Sequence, residues 1–317
     1  MPRVSVIIPT YNRPHLLERA VRSAFAAGRD VEVIVVDDAS TDETASVCRA
    51  LEGIKYVRLE RNQGVAGARN VGILASTADY IAFLDDDDQR LPGTLDIQVE
   101  ALSANPEAAF VCAPVLLADE DGVPNGDVAS PPVGGGDVFW EVIELGFFLL
   151  PTSVVVRKSA FFSVGLFNSR LSGIDDWDIW VRLTELYPVL VMSEPVSIYR
   201  QPTPRSGQGL SSPAPLLLKA VRHQEELLRL PRAQAAEAGR RRRAKRQLRK
   251  RVADSLSWQA ALRLPEGAYG FALNNFLTAL RLSPLWAARP AHLRQFYGSC
   301  VAQYEKRRAH ASSERGL

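Results

Sequence analysis

The sequence predicts an α/β fold: a mixed, mostly parallel sheet flanked by helices, followed by a mainly helical region. Three observations carry this. Short apolar runs rich in valine and isoleucine alternate with segments at helical spacing over the first hundred residues, the pattern of parallel strands buried on both faces. Polar or acidic clusters stand directly after three of those runs, where open α/β sheets place their ligand crevice. Charge then divides the chain. Residues 1–212 hold 17 Lys and Arg against 29 Asp and Glu, and residues 213–317 hold 21 against 7. Two regions are therefore expected, an acidic α/β domain over 1–212 and a basic, mainly helical region over 213–317.

The elements follow in order. Val4-Ser5-Val6-Ile7-Ile8 reads as a buried strand ended by Pro9. Pro14 suits a first helical turn, and Leu16, Leu17, Ala20, Val21 and Ala24 continue at helical spacing to Ala26. Val31–Val36 is a second strand, after which Ser40-Thr41-Asp42-Glu43 carries the chemistry of a helix start. Tyr56–Leu59 reads as a third strand, Gly64–Leu74 as a helix and Tyr80–Leu84 as a fourth strand. Residues 119–137, rich in Asp, Gly and Pro, form a loop with room for a hairpin. A strand at Ser153–Val156, a helix from Asp175 to Leu186 and short strands near Val189–Met192 and Val196–Tyr199 complete the domain. From Pro213 to about Tyr304 the pattern is helical.

Composition excludes several classes. With 46% hydrophobic and 23% charged residues the chain reads as a soluble globular protein. The longest apolar stretch, Val142–Val156, is broken by Glu144, Gly146 and Pro151, short of the ~20 residues a spanning helix requires. Nothing before Val4 resembles a secretory leader. Cys48, Cys112 and Cys300 are too scattered for a metal motif, so free thiols of a reducing, cytoplasmic compartment are expected.

The polar clusters carry the chemistry. Thr10-Tyr11-Asn12, Asp37-Asp38 and the run Asp85-Asp86-Asp87-Asp88 follow the first, second and fourth strands. Any one of them reads equally well as turn or capping chemistry; their convergence on one crevice does not. Four consecutive carboxylates repel one another unless a cation neutralises them, and hard oxygen ligands select Mg²⁺ or Mn²⁺ over zinc. Asn62-Gln63-Gly64-Val65-Ala66-Gly67-Ala68-Arg69-Asn70 puts glycines and an arginine at a helix start, a place that favours anions. In Asp175-Asp176-Trp177-Asp178-Ile179-Trp180-Val181-Arg182, the tryptophans share a face with Val181 and Thr184. Asp178 and Arg182 are spaced as an i,i+4 ion pair, and Asp175 and Asp176 sit at the helix start. There they serve as caps, and a carboxylate in that position is also well placed as a general base.

Five ordered motifs resemble glycosyltransferase family 2, the inverting enzymes of GT-A fold. They are Val6–Arg13, Val35–Asp42, Asn62–Asn70, Phe83–Asp88 and Asp175–Arg182, spread over about residues 4–200. The segment from Arg157-Lys158-Ser159 to Gly165-Leu166-Phe167 is similar to the stretch that precedes the family's catalytic acids. The resemblance implies that Pro9, Thr10, Tyr11 and Asp38 cradle the nucleotide base and that Arg69 lies near base or diphosphate. It makes Asp85 and Asp87 the acids of a DxD-type motif, with Asp86 between them on the nucleotide side and Asp87 the direct ligand of Mn²⁺ or Mg²⁺. Asp176 matches the family's base, and Asp175 replaces a glutamate. A histidine common after Tyr-Arg is missing: Tyr199-Arg200 is followed by Gln201, so Gln201 or water takes its place, or the metal binds more weakly.

The implied function is transfer of a sugar from a nucleotide donor, a UDP-sugar first of all, to a polysaccharide, glycolipid or lipid-linked acceptor of the cell envelope. Its rivals are a nucleotidyltransferase on a similar fold and a catalytically silent adaptor that binds a sugar nucleotide or a membrane surface. Nine basic residues lie between Gly239 and Arg251. The run Arg240–Arg251 reads as a solvated helix face or an attachment to anionic lipid at the inner face of the membrane. It lacks the aromatic interleaving of a nucleic-acid site, and no nucleic-acid partner is expected.

Overall fold

The computed structural model describes residues 2–131, 134–146, 149–201, 213–264, 267–284, 298 and 301. They divide into two compact units, Met1–Val142 with Gly146–Leu210, and Ile143–Leu145 with Ser211–Leu317. Along the chain the order begins β1 (Val4–Thr10), α1 (Pro14–Ala26), β2 (Val31–Asp37), α2 (Thr44–Ala50), β3 (Ile54–Arg58), α3 (Gly64–Ala75) and β4 (Tyr80–Phe83). It continues with β5 (Gln89–Arg90), α4 (Thr94–Ala104), β6 (Phe110–Cys112), β7 (Val115–Ala118), β8 (Pro124–Ala129) and α5 (Phe139–Ile143). Then come β9 (Val155–Arg157), α6 (Ala160–Val164), α7 (Asp175–Leu186), β10 (Val189–Val191) and β11 (Ser197–Arg200).

Seven strands form the main sheet in the order β10-β6-β9-β4-β1-β2-β3. Only β9 runs against its neighbours β4 and β6; the other described pairings are parallel. All seven residues of β1 are buried, as a strand covered on both faces requires. Its register sets Thr10 beside Asp37 and Ile7 beside Phe83, so the carboxyl ends of β1, β2 and β4 open at one edge. Helix α3 crosses β1 closely. A methyl group on Gly72 would lie 2.3 Å from Cγ2 of the buried Ile7, so only glycine lets the helix seat there. That seating carries Arg69, about one turn earlier, over the strand ends. Phe83 and Phe167 stack edge to face at 5.2 Å, and Trp180 lies parallel to Phe110 at 5.9 Å. Both tryptophans of α7 are buried.

A second sheet, in the order β5-β11-β7-β8, joins the end of the acidic run to Tyr199-Arg200 on β11. The β7–β8 hairpin occupies part of the segment read as a loop. Its second strand is almost wholly exposed, so burial left no periodicity to read. The structure shifts other boundaries. β1 continues through Pro9 to Thr10 rather than ending at Pro9. β9 spans Val155–Arg157 rather than Ser153–Val156, because Pro151–Ser153 forms a short helical turn. β3 starts at Ile54 and ends at Arg58. α2 starts at Thr44, whose backbone N–H and hydroxyl both donate to Asp42, rather than at Ser40.

The second unit comprises α8 (Pro213–Leu227), α9 (Pro231–Ala235), α10 (Ala238–Arg263) and α11 (Tyr269–Leu282). Ala244, Leu248, Val252, Leu256 and Ala260 form a buried stripe along α10, which packs against α8 and α11. Part of the basic run is used inside this unit. Arg240 pairs with Glu144, Lys245 with Glu225, and Arg241 donates to the carbonyls of Ala233, Gln234 and Ala236. Arg242, Lys245, Arg246, Arg249 and Lys250 line a cleft of about 590 Å³. Among the described residues no helix is long and apolar enough to cross a membrane. Cys48 and Cys112 are free and buried. Cys300, the approach to Tyr304 and the residues around the expected 212/213 boundary lie largely outside the described residues.

Candidate active site

The strand ends build the site. Thr10, closing β1, donates its hydroxyl to Asp86 at 2.8 Å. Asp37 and Asp38, closing β2, are engaged by backbone. Asp37 accepts from the Ser40 N–H and the Tyr56 hydroxyl, both at 2.8 Å. Asp38 accepts from the N–H groups of Gln63 and Gly64 at 2.7 and 2.8 Å, tying down the start of α3. Asp37 thus braces the strand end through Ser40 and Tyr56 and Asp38 the start of α3, although Asp38 also faces the cavity described below.

Arg69 is the hub. Its guanidinium is buried, donates to Asp85 at 2.7 Å, and lies 3.5 Å from Asp175. The rings of Phe83 and Phe167 stand 6.0 and 5.7 Å from it, within cation–π range. The rest of the acidic run is also partnered by arginine. Arg13 reaches Asp86 at 3.1 Å and Asp87 at 3.3 Å, and Arg200 approaches Asp87 at 3.7 Å. The Arg200 backbone N–H donates to Asp88 at 2.9 Å.

Burial shapes the acidities. It pushes Asp86 up to about 7, against the pull of Arg13 and with Asp87 adding to the rise. Asp87 and Asp88 are raised by burial and then by their acidic neighbours. At the head of α7, burial and then Asp175 push Asp176 up to about 6, with Arg69 opposing. Asp176 accepts from the Trp177 N–H at 2.7 Å, and Asp175 from the Gly173 N–H at 3.1 Å. Asp178 pairs with Arg182 at 2.6 Å and the Trp177 indole donates to the Val142 carbonyl. The rest of the motif is therefore packing that holds the two acids in place.

Two cavities adjoin. The first, about 310 Å³, is lined by Pro9, Thr10, Tyr11, Asp38, Arg69, Asp85, Asp86 and Asp87, together with Arg13. The second, about 240 Å³, is lined by Asp175 and Asp176 with Asp88, Thr152 and Tyr199. Val65, Arg69 and Asp85 line both. Pro9, Thr10, Tyr11, Asp38, Arg69, Asp85, Asp86 and Asp87 face the first cavity and Asp175 and Asp176 the second, whereas Asp37 and Gln201 line neither. Sequence reasoning missed Thr152, and named Arg13, Asp88, Tyr199 and Arg200 only within their motifs, without a role of their own. A basic residue one position past the Thr10-Tyr11-Asn12 cluster was the one available signal.

Gln201 does not replace the missing histidine. It is exposed, and its side chain accepts from Asn125 on β8 at 3.3 Å; Arg200 is the residue that turns toward the acids. Among the described residues no three carboxylate, histidine or cysteine side chains converge as a metal site. The oxygens of Asp85 and Asp87, facing the first cavity, still fit a hard cation held by one or two carboxylates and completed by substrate phosphate. Asp85 keeps 35% of its side chain exposed.

Residues 5–128 match the model of glycosyl transferase family 2. An uncharacterized glycosyltransferase of Rickettsia conorii is 31% identical over 57% of this chain and 30% of its own length. The GalNAc(5)-diNAcBac-PP-undecaprenol beta-1,3-glucosyltransferase of Campylobacter jejuni is 40% identical over 38% of this chain and 40% of its own. The chain thus spans well under half the length of these relatives. Among solved structures, S. aureus TarS 1–349 in complex with UDP-GlcNAc superposes with a TM-score of 0.62 at 20% identity, covering 99% of this chain and 92% of that one. Its complex with UDP gives 0.60 at 19% identity over the same shares.

Proposed function

Since this chain belongs to glycosyltransferase family 2 through residues 5–128 and has the family's GT-A fold, we propose that it is an inverting transferase. It moves a sugar from a nucleotide-diphosphate donor to a hydroxyl of a cell-envelope glycan or lipid-linked acceptor. Residues 1–212 form the transferase domain and 213–317 an appended basic region. The observation that carries this reading is the seam between the two cavities. Arg69 and Asp85 border both, so a diphosphate lying there has its nucleoside in the first and its sugar facing Asp176 in the second.

The steps follow from chemistry. Pro9, Thr10, Tyr11 and Asp38 border the space for the base, and Asp86 braces Thr10 and Arg13. Asp176 accepts the proton of the acceptor hydroxyl as its oxygen attacks the anomeric carbon, opposite the departing phosphate oxygen. One bond forms as the other breaks, and the configuration inverts. Arg69 faces the charge that grows on the leaving diphosphate, and Asp175 holds Arg69 from the other side. Asp87 and Asp85 would hold Mn²⁺ or Mg²⁺, which when bound supplies Lewis-acid neutralisation of the diphosphate. A UDP-sugar is the preferred donor, supported by the fold shared with TarS, solved with UDP and UDP-GlcNAc. A lipid-linked acceptor is supported by the name of the Campylobacter relative.

A panel of nucleotide sugars assayed for nucleoside diphosphate release, with and without Mn²⁺ or Mg²⁺, tests the reading. At least one UDP-sugar is expected to be turned over, with a metal response that Asp87→Ala removes. Release from none of them, or a metal response intact in that variant, would overturn the donor or the ligand assignment respectively.

The same reading places the chain at the cytoplasmic face of the membrane, held by the basic cleft of α10. Each basic residue near an anionic surface contributes about 1 kcal/mol. Replacing Arg242, Arg246 and Arg249 together with alanine should therefore weaken binding to phosphatidylglycerol vesicles by about two orders of magnitude. Sedimentation at low salt reads this, and equal binding to neutral phosphatidylcholine vesicles would refute it.

A further inference from the structure

Buried polar atoms in folded proteins are almost always hydrogen-bonded, and a cluster unpaired within the protein marks a place for water or a ligand. Twelve buried side-chain nitrogen and oxygen atoms among the described residues lack a hydrogen-bond partner. Four of them belong to residues that line the second cavity: Arg69 Nε, Asp88 Oδ2, Thr152 Oγ1 and Asp175 Oδ2. Arg69 and Asp175 face each other as an ion pair at 3.5 Å. Asp88 and Thr152 have no such explanation. Each is 1% exposed, and they come from elements remote in sequence. Asp88 ends the acidic run, in a turn closed by its own N–H to the Asp85 carbonyl at 3.0 Å. Thr152 sits in the short helix Pro151–Ser153 just ahead of β9.

The mechanism given above uses neither residue. Asp88 spends one oxygen on the Arg200 N–H, leaving the other without a partner in the protein. Beside its charged residues the cavity lining includes Val65, Leu150, Pro151 and Tyr199. Hydroxyl partners set against C–H and ring surface suit a pyranose, whose edges carry hydroxyls and whose faces carry C–H groups. The volume of about 240 Å³ suits one ring rather than an oligosaccharide. A group attached to a diphosphate at Arg69 and Asp85 enters this space directly.

We infer that Asp88 and Thr152 read the hydroxyl groups of the transferred sugar, and so set which donor is accepted. This rests on the function proposed above. A site built to hydrogen-bond a hydroxyl discriminates strongly, because its buried groups are left unpaired by the wrong substrate.

The test compares sugar nucleotides with the bare nucleotide. Affinities for UDP, UDP-glucose and UDP-GlcNAc are measured by calorimetry with saturating Mg²⁺ on the full chain and on Asp88→Asn, Thr152→Val and Thr152→Ser. Asparagine keeps an oxygen for the Arg200 N–H and valine keeps the shape of threonine, so UDP affinity serves as the check on folding and should hold. The ratio of sugar-nucleotide to UDP affinity is expected to fall by roughly tenfold or more in Asp88→Asn. In Thr152→Val it should fall roughly three- to tenfold, and Thr152→Ser should restore it. The turnover ratio between UDP-glucose and UDP-GlcNAc should shift in the same variants. Affinity ratios within twofold of the parent in both isosteric variants would overturn the inference while leaving the transferase reading intact. A parent chain that binds UDP but neither sugar nucleotide would remove the sugar subsite. A chain that binds none of the three and releases no nucleoside diphosphate from any donor would end the functional reading itself.

Discussion

Asp176→Asn is expected to lower kcat by about 10²–10⁴-fold, the usual contribution of a positioned general base, with the affinity for nucleoside diphosphate unchanged. The separation follows from the layout. Asp176 lines only the second cavity, whereas the residues bordering the space for the base and diphosphate line the first. Asparagine keeps an oxygen to accept from the Trp177 N–H, so the start of α7 should survive. The pH dependence gives a second signature. A base works deprotonated, and Asp176 is pushed up to about 6. In the parent enzyme kcat/KM should therefore fall as pH drops through about 6, roughly tenfold for each further unit. The residual activity of the asparagine variant should lack that limb. Asp86, pushed up to about 7, is a second titrating acid nearby. A divalent cation on Asp85 and Asp87 favours its ionised form, so under saturating metal the limb belongs to Asp176. Steady-state kinetics between pH 5 and 9 decide the matter. A variant with the parent's kcat, or one that keeps the acid limb, would remove Asp176 from the role of base.

Legibility in the sequence tracked the range of the interaction. The acidic run and the Asp175–Arg182 helix were readable because each motif is complete within a few residues and is pinned to a recognisable element. β1, β2 and β4 were readable because strands buried on both faces are continuously apolar. What depended on distant partners was not. Arg13 meets Asp86 across 73 residues and Asp38 holds the start of α3 across 25, and no local pattern encodes either. Asp37-Asp38 divides: Asp37 accepts from the Ser40 N–H and the Tyr56 hydroxyl and lines neither cavity, while Asp38 holds the start of α3 and also lines the first. β6 and β7 are three and four residues long and separated by Ala113-Pro114, too short for periodicity to register. Gln201 was a candidate by adjacency alone, and the path of β11 gives the inward place to Arg200.

Arg69→Ala is expected to damage both stability and catalysis, and the two losses can be told apart. The guanidinium is the common partner of Asp85 and Asp175, and its removal leaves the buried carboxylate of Asp175 uncompensated. Deleting one member of a buried ion pair costs about 3–5 kcal/mol. Here the lower end applies, because Asp85 is 35% exposed and water screens it. Thermal unfolding should therefore show a clear drop in Tm. Arg69→Lys keeps the charge but concentrates it at one point, and a single ammonium does not reproduce a planar fork between two carboxylates. Lysine should recover part of the Tm and little of the activity. On the catalytic side, loss of a preorganised group facing developing charge costs roughly 10²–10³-fold in kcat. That loss should fall more on kcat than on KM, because leaving-group charge is largest in the transition state. Arg13→Ala supplies the contrast. Arg13 lines the first cavity but not the second, so its removal should act mainly on donor KM. An Arg69→Lys variant with the parent's kcat would show that positive charge alone suffices at the seam, and that the fork between Asp85 and Asp175 is only structural.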